Sequence, residues 1–464
     1  MPSEGITNEL LREAIEQAGL SYGQVARGVQ LVAKETGDSV STTRAGVLKW
    51  VRGAKPGPAT AGYVAEVLSR RLGRRVTAAQ LALSADGQTS DELGLRLGPD
   101  PVETLAMLGR ADMERRSFLT GAAYSVAAAA LPLGASGEYA QMAKERAGTA
   151  GRAEITAVQD MTRVLTEMDE RHGGRHGRSA VVSYLTKDVL PLCRVSWRTD
   201  ELRREMLSAA ASLTMLVAWK AYDAGEHGLC QRYYLQAYNL TQEAENGAHS
   251  AFVLRGMAHH GLNIGRPEHS LEQAGQALSL ADGKVDQATL SLLIVCHART
   301  LAANGQRTDA LREADKAREI ALRGHDADRL PNWTSLWGPT MATIDAHTAK
   351  ILSATGDAAS AEKFYASSAT GRDTTAYRRV NGITTAQLGG AQVQQGHIEQ
   401  ACATWGRSLE LMDGVASART IGQVASMRRS LKPFVGRGVR EATELSEKVR
   451  TWELQNVHRG AVAS

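Results

Sequence analysis

Between positions 41 and 75 the chain carries Arg44, Lys49, Arg52, Lys55, Arg70, Arg71, Arg74 and Arg75 against a single acid, Glu66. Such a run sets up a positive field that attracts polyanions, and the chemistry it offers is neutralisation of phosphates. Thr42, Thr43, Arg44 and Lys49 suit the edges of bases in a groove, whereas Arg52 and Lys55 suit phosphate oxygens. A second set of residues recurs further along. Five glycines, Gly225, Gly265, Gly305, Gly356 and Gly396, are separated by 40, 40, 51 and 40 residues. Counting back from them gives Trp219, Tyr222, Arg255, His259, Asn263 and Arg299, flat rings interleaved with cations and hydrogen-bonding groups. That mixture suits a peptide or a small acidic molecule.

The basic run needs a helical frame to present it. Leu10, Leu11, Ala14, Ile15 and Ala18 predict a helix over 7–18 that Gly19 closes, and Ser21 caps a second helix bearing Val25, Ala26, Val29 and Val32. Ser21, Tyr22 and Gln24 then stand where a helix start meets a phosphate backbone. In the third segment, STTRAGVLKWVRGAKPGP at 41–58, Val47, Leu48 and Trp50 supply an apolar face and Gly53 ends the helix. This resembles the helix-turn-helix of phage-repressor-like regulators, whose third helix ends in a phrase read here as Trp50, Gly53 and Pro56 to Pro58. The connection between the second and third helices is longer than the usual tight turn. Residues 1–83 hold 11 Lys/Arg against 7 Asp/Glu, so this domain carries the whole net charge of +4.

The glycines mark a repeat. Five residues after each stand Cys230, Ser270, Ala310, Ala361 and Ala401, all small, and nine after stand Tyr234, Ala274, Ala314, Tyr365 and Trp405. Small positions let two helix axes approach while an aromatic side chain fills the remaining gap, and the glycine turns the chain between them. The pattern resembles tetratricopeptide (TPR) repeats, with a period of about 40 where ~34 is usual for that family. The 51-residue step coincides with DADRLPNWTSLWGPT at 326–340, which places Trp333 and Trp337 either as caps over apolar helix ends or as a lid over a ligand. The expected fold is all-α: a helix-turn-helix domain over 1–83, a linker and junction helix over 84–140, helical repeats over 141–438, and a capping helix and tail over 439–464.

Other chemistry is not predicted. Cys193, Cys230, Cys296 and Cys402 are too far apart for a metal knuckle or a paired framework, and suit buried packing in a reducing cytoplasm. No phosphate loop or HExxH occurs, HGGRHGR at 172–178 reads as a flexible basic tip, and neither a cofactor nor an enzymatic activity is expected. ERRSFLTGAAYSVAAAALPLGASG at 114–137 imitates a twin-arginine export signal, yet it follows a complete domain and is broken by Thr120, Gly121, Ser125 and Pro132. A small-residue helix at the domain junction is expected there rather than a membrane span.

The phrases NELLREAIEQAGLSYGQVARGV, VLKWVRGAKPGP, LSRRLGRRVTAAQL and DPVETLAMLGRADMERRSFLTGAAYS together resemble actinobacterial helix-turn-helix/TPR regulators of the NsdA type, most specifically over residues 7–125. That resemblance implies a transcriptional regulator, of a kind associated with control of differentiation and antibiotic production, and names no sign of regulation; a repressor is expected. Double-stranded DNA is then the first partner and a peptide or small-molecule effector the second, in a homodimer that reaches paired half-sites. The dimer interface is expected outside 1–83, where Val439, Ala442, Leu445 and Val449 form an apolar stripe that also suits docking on the chain's own last repeat. The alternative is a TPR scaffold that holds a protein partner and binds little DNA.

Overall fold

The computed structural model describes residues 8–36, 38–83, 93–95, 97–98, 100, 101–114, 124–129, 146–323 and 330–462. A four-helix N-terminal domain is followed by a solenoid of paired helices. Among the described residues the exception to helix is a short parallel pair, β1 (Arg146–Ala150) with β2 (Val195–Trp197), in which Arg146 lies opposite Val195 and Ala150 opposite Trp197.

In the N-terminal domain α1 (Glu9–Gln17) starts at Asn8, whose Oδ1 accepts from the Leu11 amide while its Nδ2 donates to the Leu81 carbonyl at 2.8 Å, tying the first helix to the last turn. α2 (Tyr22–Glu35) begins with a Ser21–Gln24 capping box, and α3 (Arg44–Val51) with Thr43, whose hydroxyl accepts from the Gly46 amide. α4 (Pro58–Leu72) has proline in its first turn, where the missing N–H is no loss. Leu11, Ile15, Val25, Val29, Val47, Val51, Val64 and Leu68 close the core. Gly28 permits the crossing of α2 and α4, because a Cβ there would lie 2.9 Å from a Val67 methyl. The long α2–α3 connection is tied down: the Tyr63 hydroxyl donates to Asp38 at 3.0 Å, and Gln30 Nε2 donates to the Thr42 carbonyl at 2.7 Å. Here the apolar-face expectation needs correction. With α3 only eight residues long, Val47 and Val51, one turn apart, enter the core, and Leu48 and Trp50 are half-buried at its margin.

The solenoid follows the glycine register. Its hairpins are Asp200–Ala224 with His227–Glu243, Gly247–Asn263 with Pro267–Ala281, Gln287–Ala303 with Arg307–Arg323, Thr340–Thr355 with Ala358–Thr370, and Arg378–Gln394 with Ile398–Met412. At the turns Gly225, Gly265, Gly305, Gly356 and Gly396 have φ of +88, +75, +81, +90 and +83°, the left-handed region that side chains with a Cβ resist. Between the turns, small residues and rings interlock as their spacing implied. A Cβ on Gly389 would lie 2.5 Å from the Trp405 ring, and one on Gly256 2.8 Å from Tyr234. The four cysteines are buried thiols of the helix interfaces.

Three expectations change. The segment expected as a linker is, over its described residues, docked on the first hairpin. The helix Pro101–Met113 puts Val102, Leu105 and Leu108 into the main core, Arg232 and Gln236 donate to the Leu93 and Gly94 carbonyls, and Tyr233 donates to Asp112. HGGRHGR is not a free tip: Gly173 and Gly174 are buried, and a Cβ on either would lie 2.5–2.6 Å from backbone oxygens of Ala416 or Lys220. The apolar stripe of the last helix, Arg440–Val462, is consumed within the chain, since Ala442, Leu445 and Val449 are buried against Ala418–Val435 and the fifth hairpin. It is not available to a second copy. Of the export-like segment, residues 115–123 and 130–137 lie outside the described residues. Its middle is a short helix, Val126–Ala129, held by a reciprocal pair of 2.7 Å hydrogen bonds between Ser125 backbone and the Gln231 amide. Among the described residues no helix is long and apolar enough to cross a membrane.

Candidate functional site

The solenoid curls far enough for its ends to meet. Ala416 donates its amide to the His172 carbonyl at 2.8 Å, and Ser417 Oγ donates to Asp223 across 194 residues of sequence. Arg379, fully buried, binds Asp169 and Glu170 at 2.7 Å and Asp223 at 3.2 Å, while Lys220 binds Asp169 at 3.1 Å. Burial would raise the Asp169 carboxyl, but the Arg379 and Lys220 charges outweigh it and hold it below the ordinary carboxylate range.

This closure bounds a cleft of about 890 Å³, open solvent included, lined by the inner helices of four hairpins. Trp219, Arg255 and His259 line it, and so does Trp337 from the insertion. Trp337 meets Trp219 edge-on at 5.5 Å. Arg299 stands behind them and donates to His259 Nδ1 at 3.2 Å, which leaves the His259 proton on Nε2. Tyr222 is buried beneath, edge-on to Trp219, with the Arg419 guanidinium 5.1 Å over its ring. Two expected members are elsewhere. Asn263 turns back to donate to the His259 carbonyl at the helix end, and Trp333 is stacked on His249 in the core, since a bulky ring beside an apolar helix end buries more area there than in an open cleft.

The same stripe continued by helical spacing, nine and thirteen residues before each glycine, contains His347, Gln387, Phe252 and Thr343, all of which line the cleft. Lys350, six before Gly356, completes it. Glu170, Arg372, Tyr377 and Arg419 come from outside the repeat frame, and no periodicity announces them.

The electrostatics are lopsided. At the closure Arg379, Lys220 and Arg419 face Asp169, Glu170 and Asp223, charge for charge. Arg255, Arg299, Lys350 and Arg372 have no carboxylate within ion-pair distance among the described residues. Arg255 donates to the Leu292 carbonyl, and Arg372 to Ser368 and Thr343. Burial, then the charges of Arg299, Arg419 and Arg372, lowers the Lys350 ammonium well below its ordinary value, and burial pushes Arg372 down to about 10. Burial and the nearby cations likewise hold His259 and His347 far below the usual imidazole range.

At the N-terminal domain Arg44, Lys49, Arg52 and Lys55 are exposed along α3 and the turn after it. Four further cations of the basic run have partners within the chain. Arg70 binds Glu35 and Glu66 at 2.7 and 2.8 Å, Arg71 donates to the Ala18 carbonyl, Arg74 to Gln17 and Arg75 to the Leu95 carbonyl. Thr42 is buried with its carbonyl taken by Gln30, so it does not reach a groove, contrary to expectation. Thr43, Ser21 and Gln24 are exposed, but their side-chain oxygens cap α3 and α2, and Tyr22 is half-buried on the core. The two parts of the chain touch where Arg266, in the turn of the second hairpin, binds Glu35 at 2.9 Å.

Residues 11–84 match the family model described as the SP15 N-terminal domain. No curated protein matches the chain. Among solved structures, the chain is similar to a signal transduction ATPase with numerous domains (STAND) with a tetratricopeptide repeat sensor from Pyrococcus horikoshii, at 12% identity and a TM-score of 0.41 over 98% of this chain and 77% of that one. It is also similar to a Podosopora anserina protein, a kinesin light chain candidate with nearly identical TPR-like repeats, at 15% identity and a TM-score of 0.34 over 45% of this chain and 95% of that one.

Proposed function

We propose that this chain is a DNA-binding transcriptional regulator of the NsdA-like type, in which the TPR-like solenoid senses a signal and the N-terminal domain carries the response. The observation that carries the reading is the solvent exposure of Arg44 and Lys49 on α3 and of Arg52 and Lys55 in the turn that follows it. A helix whose exposed face is basic, anchored by Val47 and Val51 and capped by Thr43, suits the major groove, with Arg44 and Lys49 toward base edges and Arg52 and Lys55 toward phosphates. The role is one of binding rather than catalysis.

The route from sensor to reader is short. The helix Gly247–Asn263 carries Arg255 and His259 into the cleft and runs into the turn whose Arg266 holds Glu35 of α2. A ligand acts through this route by preferring one solenoid curvature over another, since equal affinity for both states shifts nothing. Homodimerisation would let two such domains read paired half-sites, and repression follows if the occupied operator overlaps a promoter.

The reading is tested by passing genomic DNA fragments over the purified full chain at low salt, and footprinting those retained. Arg44→Ala and Lys49→Ala are expected to lose about 1–3 kcal/mol each on the selected site if they make base contacts. Retention without a footprint, or footprints unchanged in both variants, would remove α3 from the interface.

A further inference from the structure

The polar atoms of the cleft are more specific than its charge. Arg255, Lys350 and Arg372 line one space, with Arg299 behind it, none of them with a carboxylate at ion-pair distance among the described residues, and Lys350 has no hydrogen-bond or ion-pair partner among those residues. Gathering unpaired cations out of water is unfavourable unless something negative joins them. An anion alone, however, would leave other groups unanswered. His259 Nε2 and His347 Nδ1, on side chains more than nine-tenths buried, have no hydrogen-bond partner among the described residues, nor do Trp219 Nε1, Gln387 Oε1 and Glu170 Oε2. Gln387 Oε1 and Glu170 Oε2 are acceptors, and they suit N–H donors, which a phosphate ion lacks. Beside them stand the Trp219 and Trp337 rings and Tyr377, a wall on which a flat ring can lie.

We infer that the cleft binds a small molecule of the nucleotide class, with its phosphate chain among Arg255, Lys350 and Arg372 and its amino-bearing ring against Trp219 and Trp337 within reach of Gln387 and Glu170. Charge and hydrogen bonding divide between the two ends of the ligand, as the lining divides between cations and acceptors. This deepens the sensor half of the proposed function and rests on it for the biological role, whereas the binding itself is measured without DNA.

The experiment is isothermal titration of the full chain with three probes: ribonucleoside 5′-triphosphates, inorganic pyrophosphate, and the corresponding nucleosides. At least one triphosphate is expected to bind saturably at one site per chain, pyrophosphate at least tenfold more weakly, and nucleosides more weakly still. Lys350→Met, which removes an unpaired cation and is expected to fold, should weaken the triphosphate at least tenfold, and Gln387→Leu should narrow the gap between triphosphate and pyrophosphate. Binding of no triphosphate, or an affinity unchanged in Lys350→Met with its helical signal intact, overturns the inference. Equal affinities for triphosphate and pyrophosphate overturn the assignment of the ring. A chain that binds a triphosphate but selects no DNA would leave the site standing and fail the regulator reading, and the converse outcome would do the reverse.

Discussion

Replacing Arg379 by Met should open the solenoid where its ends meet without unfolding it. Arg379 is fully buried and serves three carboxylates from two other helices, Asp169 and Glu170 at 2.7 Å and Asp223 at 3.2 Å. Met keeps much of the stem's bulk and removes the charge. Breaking a buried ion pair by deleting one partner costs about 3–5 kcal/mol, because the other charge stays behind uncompensated. Here the residual charges are partly served. Asp169 keeps Lys220 at 3.1 Å, and Asp223 keeps Ser417 Oγ, the Gly174 amide and Arg419. The lower end, about 3 kcal/mol, is therefore expected, which at tenfold per ~1.4 kcal/mol is on the order of a hundredfold in local opening. Amide hydrogen exchange reads it directly: segments holding Gly174, bonded to Asp223, and Ala416, bonded to the His172 carbonyl, should exchange about a hundredfold faster. The outer helices of the middle hairpins should not change. Unaltered exchange at both amides in a protein lacking Arg379 would refute the closure as a stabilising contact.

Further outcomes follow from the same contacts. Because the folded-state Asp169 carboxyl is held below its ordinary value, its contribution to closure is present above about pH 4 and is lost only as pH falls through the lowered folded value, so exchange at Ala416 should stay slow at pH 5. Gly174→Ala should open the same junction in a protein whose charges are intact, since its Cβ would meet the Lys220 carbonyl at 2.6 Å, and exchange at Ala416 again reports it. Lys350→Met should raise the denaturation midpoint of the ligand-free protein at pH 7. The lowered Lys350 value makes its charged form a penalty in the fold, and the gain should vanish as pH approaches the unfolded lysine value of about 10.4. Trp50→Ala should destabilise the first domain by less than the ~3–5 kcal/mol of a fully buried aromatic, because the ring lies at the core margin; chemical denaturation of the full chain followed by near-domain probes checks it.

The helical hairpins were legible because their signal is local and repeated. A glycine at positive φ and a small residue five positions on recur at each turn, with a ring nine positions on at three of the five, and Gly389 against Trp405 shows why. Half of the cleft followed from the same register, since Trp219, Arg255 and His259 lie on one face of the inner helices. The other half did not. Glu170, Arg372 and Arg419 enter from a preceding helix, an inter-hairpin connection and the closing helix, brought in by superhelical curvature that accumulates over five hairpins and leaves no mark at any one position. The HGGRHGR segment misled for a related reason. Two adjacent glycines read locally as freedom, yet here they permit close approach of Ala416 and Lys220, partners about 45 and 240 residues away along the chain. Charge counting along the first domain failed in the same way, as Arg70 is neutralised by Glu35 on another helix.

The central claim is that α3 reads DNA, and the salt dependence of binding to a selected genomic fragment by the full chain tests it most directly. With Arg44, Lys49, Arg52 and Lys55 at the interface, log affinity should fall with log salt at about −0.9 per phosphate neutralised, and Arg52→Ala or Lys55→Ala should each reduce the slope by roughly one unit per protomer bound. A slope near zero, or one that neither substitution alters, would contradict the account and leave the solenoid as the only recognition surface.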